Sequence, residues 1–336
     1  MTSNKYCVAI YSMFNRNKDC TMETPILAPE GFDIIVIDEQ DKEGFWNILP
    51  KIDALLIANN NLSEEEIERM DKCKIIARQG IGLDNIPLKL AEEKGITVCN
   101  VPDCSTMEVA EHATALMMTI GRMIPFYNDK IKLENQWNHR SFTVRPLREQ
   151  TIFLVGFGKI AQQTAKSIRS HFGRVIAFDP YINIDKAKEL DVEVAPSFEY
   201  GLKEADIVSL HIPLTKDSYH IINKNSLKIM KPTAFLINMS RGQHVDRDDL
   251  NEAINNGTIA GAALDVIEDE LNVEKGDFSH PLFKNPMVIF TPHSGWYSTG
   301  SNKKARTVAA HEIVDFIHEK KLIGQANNPS TPRKFV

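Results

Sequence analysis

Gly156, Gly158 and Ala161 stand at the spacing G-x-G-x-x-A. They follow the apolar run Thr151-Ile152-Phe153-Leu154-Val155 and precede a stretch that reads as helix. In such a pattern the first glycine makes the tight turn. The second lets the backbone approach a pyrophosphate, and the third small residue lets helix and strand pack closely. The helix N-terminus then offers N–H groups and a partial positive charge to phosphate. A second apolar run, "RVIAFD", ends in Asp179. That acid lies 179 − 161 = 18 residues past Ala161, close to the roughly 20 expected for a ribose-binding carboxylate. The glycine pattern alone also occurs in ordinary turns, and Asp179 before Pro180 also suits a strand-end turn. The order strand, loop, helix, strand, acid points to a dinucleotide. A carboxylate at 179 accepts bonds from ribose hydroxyls and repels a 2′-phosphate, and "DPYIN" carries no arginine, so NAD is expected rather than NADP.

A hydride-carrying cofactor needs a substrate anchor and an acid/base beside it. Three later motifs hold candidates: "INMSRGQHVD" with Arg241, "AALDVIEDE" with Asp265 and Glu270, and "FTPHSGWYS" with His293. Arginine binds a carboxylate and its neighbouring carbonyl bidentately. Histidine exchanges protons near neutrality, and an adjacent carboxylate orients it and stabilises the imidazolium. Each also has a plain structural reading: an Arg-Gly turn, a solvated Glu, a His filling a surface groove.

The elements that must position these residues form two alternating series. The first hundred residues contain the strand-like runs "YCVAIYS", "DIIVIDE", "ALLIANN", "CKIIARQG" and "TVCNV", separated by helix-prone stretches. Ser63 to Glu66 reads as a capping box ahead of Ile67. A long helical stretch follows at about 106–136, broken near Pro125. The second series comprises "TIFLVG", "RVIAFD", "IVSLH", "AFLINMS", "IAGAALDV" and "MVIFTPH", and residues near 300–320 again read as helix. Strands alternating with helices imply crossovers and parallel sheets. The glycine cradle comes late because one whole α/β domain precedes it. The tail "NNPSTPRKFV" reads as loose.

With 336 residues, two domains are expected. A net charge of −6 argues against coating nucleic acid or an anionic membrane. No apolar run is long enough to span a bilayer, and "MTSNKYCVAIYSMFN" has no secretory pattern. Five cysteines without a C-x-x-C pair suggest free thiols and a reducing, cytoplasmic setting. The ten histidines show no paired-ligand spacing, so no metal is expected. The run "ALMMTI" and the aromatics Phe126, Tyr127 and Trp137 in the long helical stretch suggest a covered surface, hence a homodimer through the cofactor domains.

In this order the motifs "GIGLDNI", "GITVCNVPDCSTMEVAEHA", "GFGKIA", "HIPLT", "INMSRG", "ALDVIEDE" and "TPHSGW" resemble the D-isomer-specific 2-hydroxyacid dehydrogenase family, over residues from about 50 to 320. Within it, "TPHSGWYS" and "NVP" look closest to the branch containing the C-terminal-binding proteins, which act as NAD-responsive corepressors. The resemblance implies an α/β protein of two doubly wound parallel-sheet domains. A Rossmann cofactor domain, residues 103–293, is inserted into a flavodoxin-like substrate-binding domain, residues 1–102 and 294–336, with the active site in the cleft between them. It implies NAD as cofactor and a small 2-keto or 2-hydroxy acid as partner. Arg241 then anchors substrate, Glu270 orients His293, and His293 is the general acid in keto-acid reduction. Gly80, Ile81 and Gly82 present backbone N–H groups to the substrate carboxylate. Lys159 and Ile160 donate to pyrophosphate, while Ile212, Pro213 and Ser218 line the adenosine side. Met239 and Ser240 lie under the nicotinamide ribose, with Asp265 near the carboxamide. Trp296 either projects into the substrate cleft or packs structurally. The expected activity is NAD-dependent interconversion of a 2-keto acid and a D-2-hydroxy acid; the alternative is an NAD-sensing interaction protein with vestigial catalysis.

Overall fold

In this computed structural model, which describes residues 5–335, each apolar run becomes a parallel strand. The chain divides into two units, Met1–Ser105 with Tyr297–Val336, and Thr106–Trp296. The division falls three residues beyond 102/103 and 293/294.

The first unit holds β1 (Tyr6–Tyr11), β2 (Phe32–Ile37), β3 (Ala54–Ile57), β4 (Ile75–Arg78) and β5 (Thr97–Cys99), in the order β2-β1-β3-β4-β5. All pairs are parallel, and β1 is in register with β3 from Val8↔Ala54 to Tyr11↔Ile57. All four residues of β3 are buried, as expected of a central strand covered on both faces. One face packs on Phe45, Leu49, Ile67 and Met70, and the other on Leu27, Ala305, Ala309 and Ile313. The last three belong to the helix Thr299–Ile317, by which the chain returns to this unit. The capping box forms: Glu66 N–H donates to Ser63 Oγ (3.2 Å) and Ser63 N–H to Glu66 Oε2 (2.7 Å).

The tail differs from its expected looseness. Just ahead of it, Gln325 forms an antiparallel bridge with Cys99 at the edge of β5. Asn327 accepts from Val98 N (2.7 Å) and donates to Ile96 O (2.9 Å). Phe335 meets Tyr6, Phe32 and Phe316 edge-on. An extended segment has no periodicity to read, yet it covers an edge strand that would otherwise be open to pairing.

The second unit holds β6 (Thr151–Val155), β7 (Arg174–Phe178), β8 (Glu193–Val194), β9 (Ile207–Leu210), β10 (Phe235–Asn238), β11 (Gly261–Leu264) and β12 (Val288–Phe290). The order is β12-β11-β10-β9-β6-β7-β8, all parallel. The order reverses between β6 and β9, and ligands of doubly wound sheets bind at the carboxyl ends of strands at such a point. The edge strand β8 was not foreseen: it is two residues long and both are exposed. The long helical stretch is two helices, Thr106–Gly121 and Ile124–Glu134. Met123 turns left-handed between them (φ 56°), which places Pro125 in the first turn of the second helix, where its missing N–H costs nothing. Phe126 is buried beside Phe235 and Phe142, whereas Trp137 is 89% exposed.

A buried ion pair fastens the returning helix to the first unit. Arg306 Nε and Nη2 each donate to Glu23, at 2.7 Å, and Nη1 donates to Asp19 at 2.8 Å. The Glu23 side chain is fully buried and that of Arg306 is 3% exposed. Removing one partner of such a pair strands the other charge, at about 3–5 kcal/mol. Arg306→Leu should therefore lower the urea midpoint by that equivalent, and adding Glu23→Leu should recover much of it. A single variant as stable as the parent refutes the assignment.

Candidate active site in the second unit

The glycine cradle begins where β6 ends. Gly156 has φ +91°, and a Cβ there would stand 2.5 Å from the His211 carbonyl oxygen and 2.9 Å from Ile212 Cγ2. Only glycine suits that turn. Gly158 faces open space: a Cβ there would meet nothing within 4 Å. It is the N-cap of the ten-residue helix Lys159–Ile168 and supplies no side-chain cap. Ala161 is buried against the core, as its packing role requires. An open glycine before an uncapped helix N-terminus fits a pyrophosphate, with Lys159 and Ile160 in the helix's first turn.

Asp179 follows β7 and serves the strand-end turn. Its Oδ1 accepts from Tyr181 N (2.8 Å), closing the local turn. Its Oδ2 accepts from Phe157 N (2.9 Å), within the glycine loop itself. The carboxylate thus stands at the cradle. Ile212 and Pro213 lie just beyond β9, with Ile212 beside Gly156. The Ser218 hydroxyl is engaged inside its own loop, donating to Pro213 O (2.8 Å) and accepting from Thr215 N (2.8 Å). It shapes that loop. Burial pushes the neighbouring His211 imidazole down to about 4.

The catalytic candidates rest on one buried carboxylate. Asp265, 3% exposed, directly follows β11. Its Oδ1 accepts from Thr291 Oγ1 (2.5 Å) and Ser294 N (2.9 Å), and its Oδ2 accepts from Gly295 N (3.0 Å). Its backbone carbonyl accepts the His293 N–H at 2.8 Å. The turn after β12 is thereby wrapped around one side chain, and His293 is held left-handed at φ +48°. The Met239 methyl lies against Gly295, since a Cβ there would come within 2.5 Å of Met239 Cε and 2.9 Å of Asp265 Oδ2. Trp296 packs partly on the core of this unit.

His293 Nδ1 bonds Glu270 Oε1 at 2.7 Å, and both side chains are 31% exposed. Glu270 opens the short helix Glu270–Glu274 behind Asp269, whose φ is +60°. Arg241 sits after β10. Its Nη1 donates to Ser240 O (2.8 Å), and its own carbonyl accepts from Asn238 Nδ2 (2.8 Å). Ser240 Oγ donates to Leu210 O (2.8 Å), which ties this turn to the end of β9. Gly242 allows close approach of the acidic loop, because a Cβ would fall 2.0 Å from the Ile267 carbonyl carbon.

Gly80, Ile81 and Gly82 lie after β4 in the first unit. The Gly80 N–H donates to Arg78 O (2.9 Å), so that one of the three expected donors is engaged in its own turn. The Ile81 carbonyl accepts from Asn100 Nδ2 (2.6 Å).

Several supporting residues escaped the sequence reading. His112 Nε2 meets Thr291 Oγ1 at 3.1 Å and lies 3.7 Å from Asp265 Oδ1. The fully buried His244 accepts from Arg241 N at Nδ1 (3.3 Å), so its Nε2 carries the proton toward Pro213 O (3.3 Å). His244 was visible three residues past Arg241; His112, 179 residues from Thr291, left no local signal. Among the described residues no group of three or more His, Cys, Asp or Glu is placed to hold a metal ion, and no helix is long and apolar enough to cross a membrane.

The family model described as "D-isomer specific 2-hydroxyacid dehydrogenase, NAD binding domain" matches residues 114–295. The D-3-phosphoglycerate dehydrogenase of Methanocaldococcus jannaschii is 33% identical over 87% of this chain and 55% of its own. The chain thus spans about half the length of the phosphoglycerate dehydrogenases it matches. The glyoxylate reductase of Thermococcus litoralis is 35% identical over 79% of this chain and 81% of its own. The crystal structure of the D-lactate dehydrogenase from Aquifex aeolicus complexed with NAD and lactic acid superposes with a TM-score of 0.86, at 27% identity, covering 96% of this chain and 100% of that one. The cradle therefore belongs to an NAD-binding domain, and the chain belongs to the D-isomer-specific 2-hydroxyacid dehydrogenase family.

Proposed function

We propose that the chain is an NAD-dependent oxidoreductase that interconverts a short 2-keto acid and the corresponding D-2-hydroxy acid. The observation that carries this reading is the 2.7 Å bond from His293 Nδ1 to Glu270 Oε1, in the same unit as Arg241 and an NAD cradle. The glyoxylate reductase and the lactate-bound relative support a small substrate.

Bound NAD supplies the hydride chemistry that no side chain provides. Arg241 offers parallel donors to the substrate carboxylate and its neighbouring carbonyl oxygen, which holds and polarises both. The bond from Nδ1 to Glu270 leaves His293 Nε2 as the nitrogen that exchanges a proton with the substrate oxygen. In reduction Nε2 gives its proton to the forming hydroxyl; in oxidation it takes the proton back. Glu270 accepts from Nδ1 throughout and stabilises the imidazolium. Asp265 fixes the turn that carries His293, and Trp296 bounds the same turn. Gly80, Ile81 and Gly82 are assigned to the substrate carboxylate, which makes the first unit the substrate-binding domain. The five thiols are free, which supports a reducing, cytoplasmic setting.

The purified chain should oxidise NADH with at least one member of a panel of 2-keto acids. His293→Ala should lower kcat by roughly 10²–10⁴-fold, the usual worth of a positioned acid/base, while the NADH dissociation constant stays close to the parent's. Absence of turnover with every keto acid, beside tight NADH binding, overturns the enzymatic reading in favour of an NAD-sensing protein.

Asp179→Ala removes a ribose acceptor and a charge that repels a 2′-phosphate. It should shift the ratio of kcat/KM values from NADH toward NADPH. An unchanged ratio means that Asp179 serves only its turn and the glycine loop.

The second unit is proposed to form a homodimer. Its support is the apolar surface along Ile124–Glu134 and just beyond it, where Ile124, Ile131, Leu133 and Trp137 are 57%, 42%, 77% and 89% exposed. Light scattering at micromolar concentration should give twice the 37.9 kDa chain mass; a monomer refutes it.

A further inference from the structure

The acidic loop that carries Glu270 has a second histidine on it. Glu268, two residues earlier, bonds His220 Nε2 through Oε1 at 3.0 Å. His220 Nδ1 lies 3.4 Å from Asp246 Oδ2. Tyr219 donates its hydroxyl to the same Glu268 oxygen (3.3 Å) and stacks on the imidazole, with centroids 4.0 Å apart. The side chains of His220, Glu268 and Asp246 are 24%, 22% and 30% exposed. Arg247 follows Asp246, and its Nη2 lies 3.7 Å from Asp269 Oδ2, between the two glutamates. Three successive acids, Glu268, Asp269 and Glu270, are thus each met by a different base: His220, Arg247 and His293.

His220 is itself held fast. Its N–H donates to Gln243 O (2.9 Å), its carbonyl accepts from Asn223 Nδ2 (2.8 Å), and its backbone is left-handed at φ +47°. It is presented from a scaffold that includes the Arg241 turn, because Gln243 lies two residues past Arg241 and Gly242 abuts the Ile267–Glu268 backbone. The acidic loop is gripped on one side by Gly242 and on the other by His220. The imidazole thus has a carboxylate near each nitrogen, Glu268 bonded at 3.0 Å and Asp246 at 3.4 Å.

We infer that His220 is a positioning residue for the dehydrogenase reaction: by holding Glu268 it fixes the loop that delivers Glu270 to His293. The inference rests on the reading of Glu270 and His293 given above. His220 does not touch the reacting atoms; it acts through the loop. A misplacement of about 1 Å at a catalytic group costs up to roughly 10²-fold in rate, so a strut two residues from Glu270 has leverage.

The test uses the full chain, three variants of the strut, and Glu270→Gln. His220→Leu removes the donor at similar bulk, His220→Gln keeps an N–H where Nε2 stood, and Glu268→Gln keeps the shape but removes the charge. His220→Leu should lower kcat by roughly 10- to 10²-fold with the NADH dissociation constant, read by fluorescence titration, unchanged. His220→Gln should restore most of the rate. A role confined to the neighbouring cofactor loop would instead weaken NADH binding and spare kcat at saturation, which overturns the inference. In a Glu270→Gln background the His220→Leu loss should vanish, because both act on one bond.

A readout without substrate separates this inference from the reading beneath it. The His293 Nδ1–H proton, bonded to a carboxylate at 2.7 Å, should resonate far downfield in the parent. It should broaden in His220→Leu and Glu268→Gln, and return in His220→Gln. If Glu270→Gln leaves the rate unchanged, the catalytic reading fails. If Glu270→Gln lowers the rate while His220→Leu alters neither the rate nor the proton resonance, only the positioning role fails.

Discussion

The second unit turns on the carboxylate of Asp265. A side chain 3% exposed must have its oxygens satisfied, because an unpartnered buried carboxylate costs several kcal/mol. Asp265 meets that demand with donors drawn from one short segment, Thr291, Ser294 and Gly295. The consequence runs outward. The segment has to curl around the acid, and His293 in its middle has to give its N–H to the Asp265 carbonyl and take a left-handed backbone. The imidazole orientation that meets Glu270 follows from a desolvation constraint one layer beneath it.

A second constraint is steric. Gly242 lies where any Cβ would strike the Ile267 carbonyl, so the Arg241 turn and the acidic loop lie backbone to backbone. The turn that carries Arg241 and the loop that leads to Glu270 touch through Gly242, and that contact depends on the absence of one side chain. Glu270 opens a helix of only five residues, whose own bonds position it little. Its placement depends on what grips the loop before it: Gly242, His220 and Arg247.

The parts of this arrangement that were legible in the sequence are those whose signal is local. β-branched runs announce the strands, and Gly156, Gly158 and Ala161 announce the cradle because turn, approach and packing are demands on neighbouring residues. Asp179 was singled out by a fixed spacing, although its bond back to Phe157 N was not legible. What could not be read depends on separation in sequence. Arg306 and Glu23 are 283 residues apart, His220 and Glu268 are 48 apart, and His112 and Thr291 are 179 apart. Each is ordinary in its own neighbourhood and meaningful only once the sheet has brought its partner close. The tail belongs to the same class: extended chain has no period, so its hold on β5 leaves no pattern to detect.

Backbone strain also falls beside the acidic loop. Three of the nine non-glycine residues with positive φ among the described residues are His220, Asp269 and His293. Each costs of order 1–3 kcal/mol and persists only where surrounding contacts over-determine it. A glycine at 293 would relieve the strain and keep the N–H bond to Asp265, since that bond is made by backbone. It would lose only the imidazole. The same holds at 220, where the backbone bonds to Gln243 and Asn223 do not require a ring. At both positions the ring's own bonds run to the acidic loop, from His293 to Glu270 and from His220 to Glu268. The strained positions 220 and 293 thus present imidazoles to Glu268 and Glu270, two residues apart on one acidic loop.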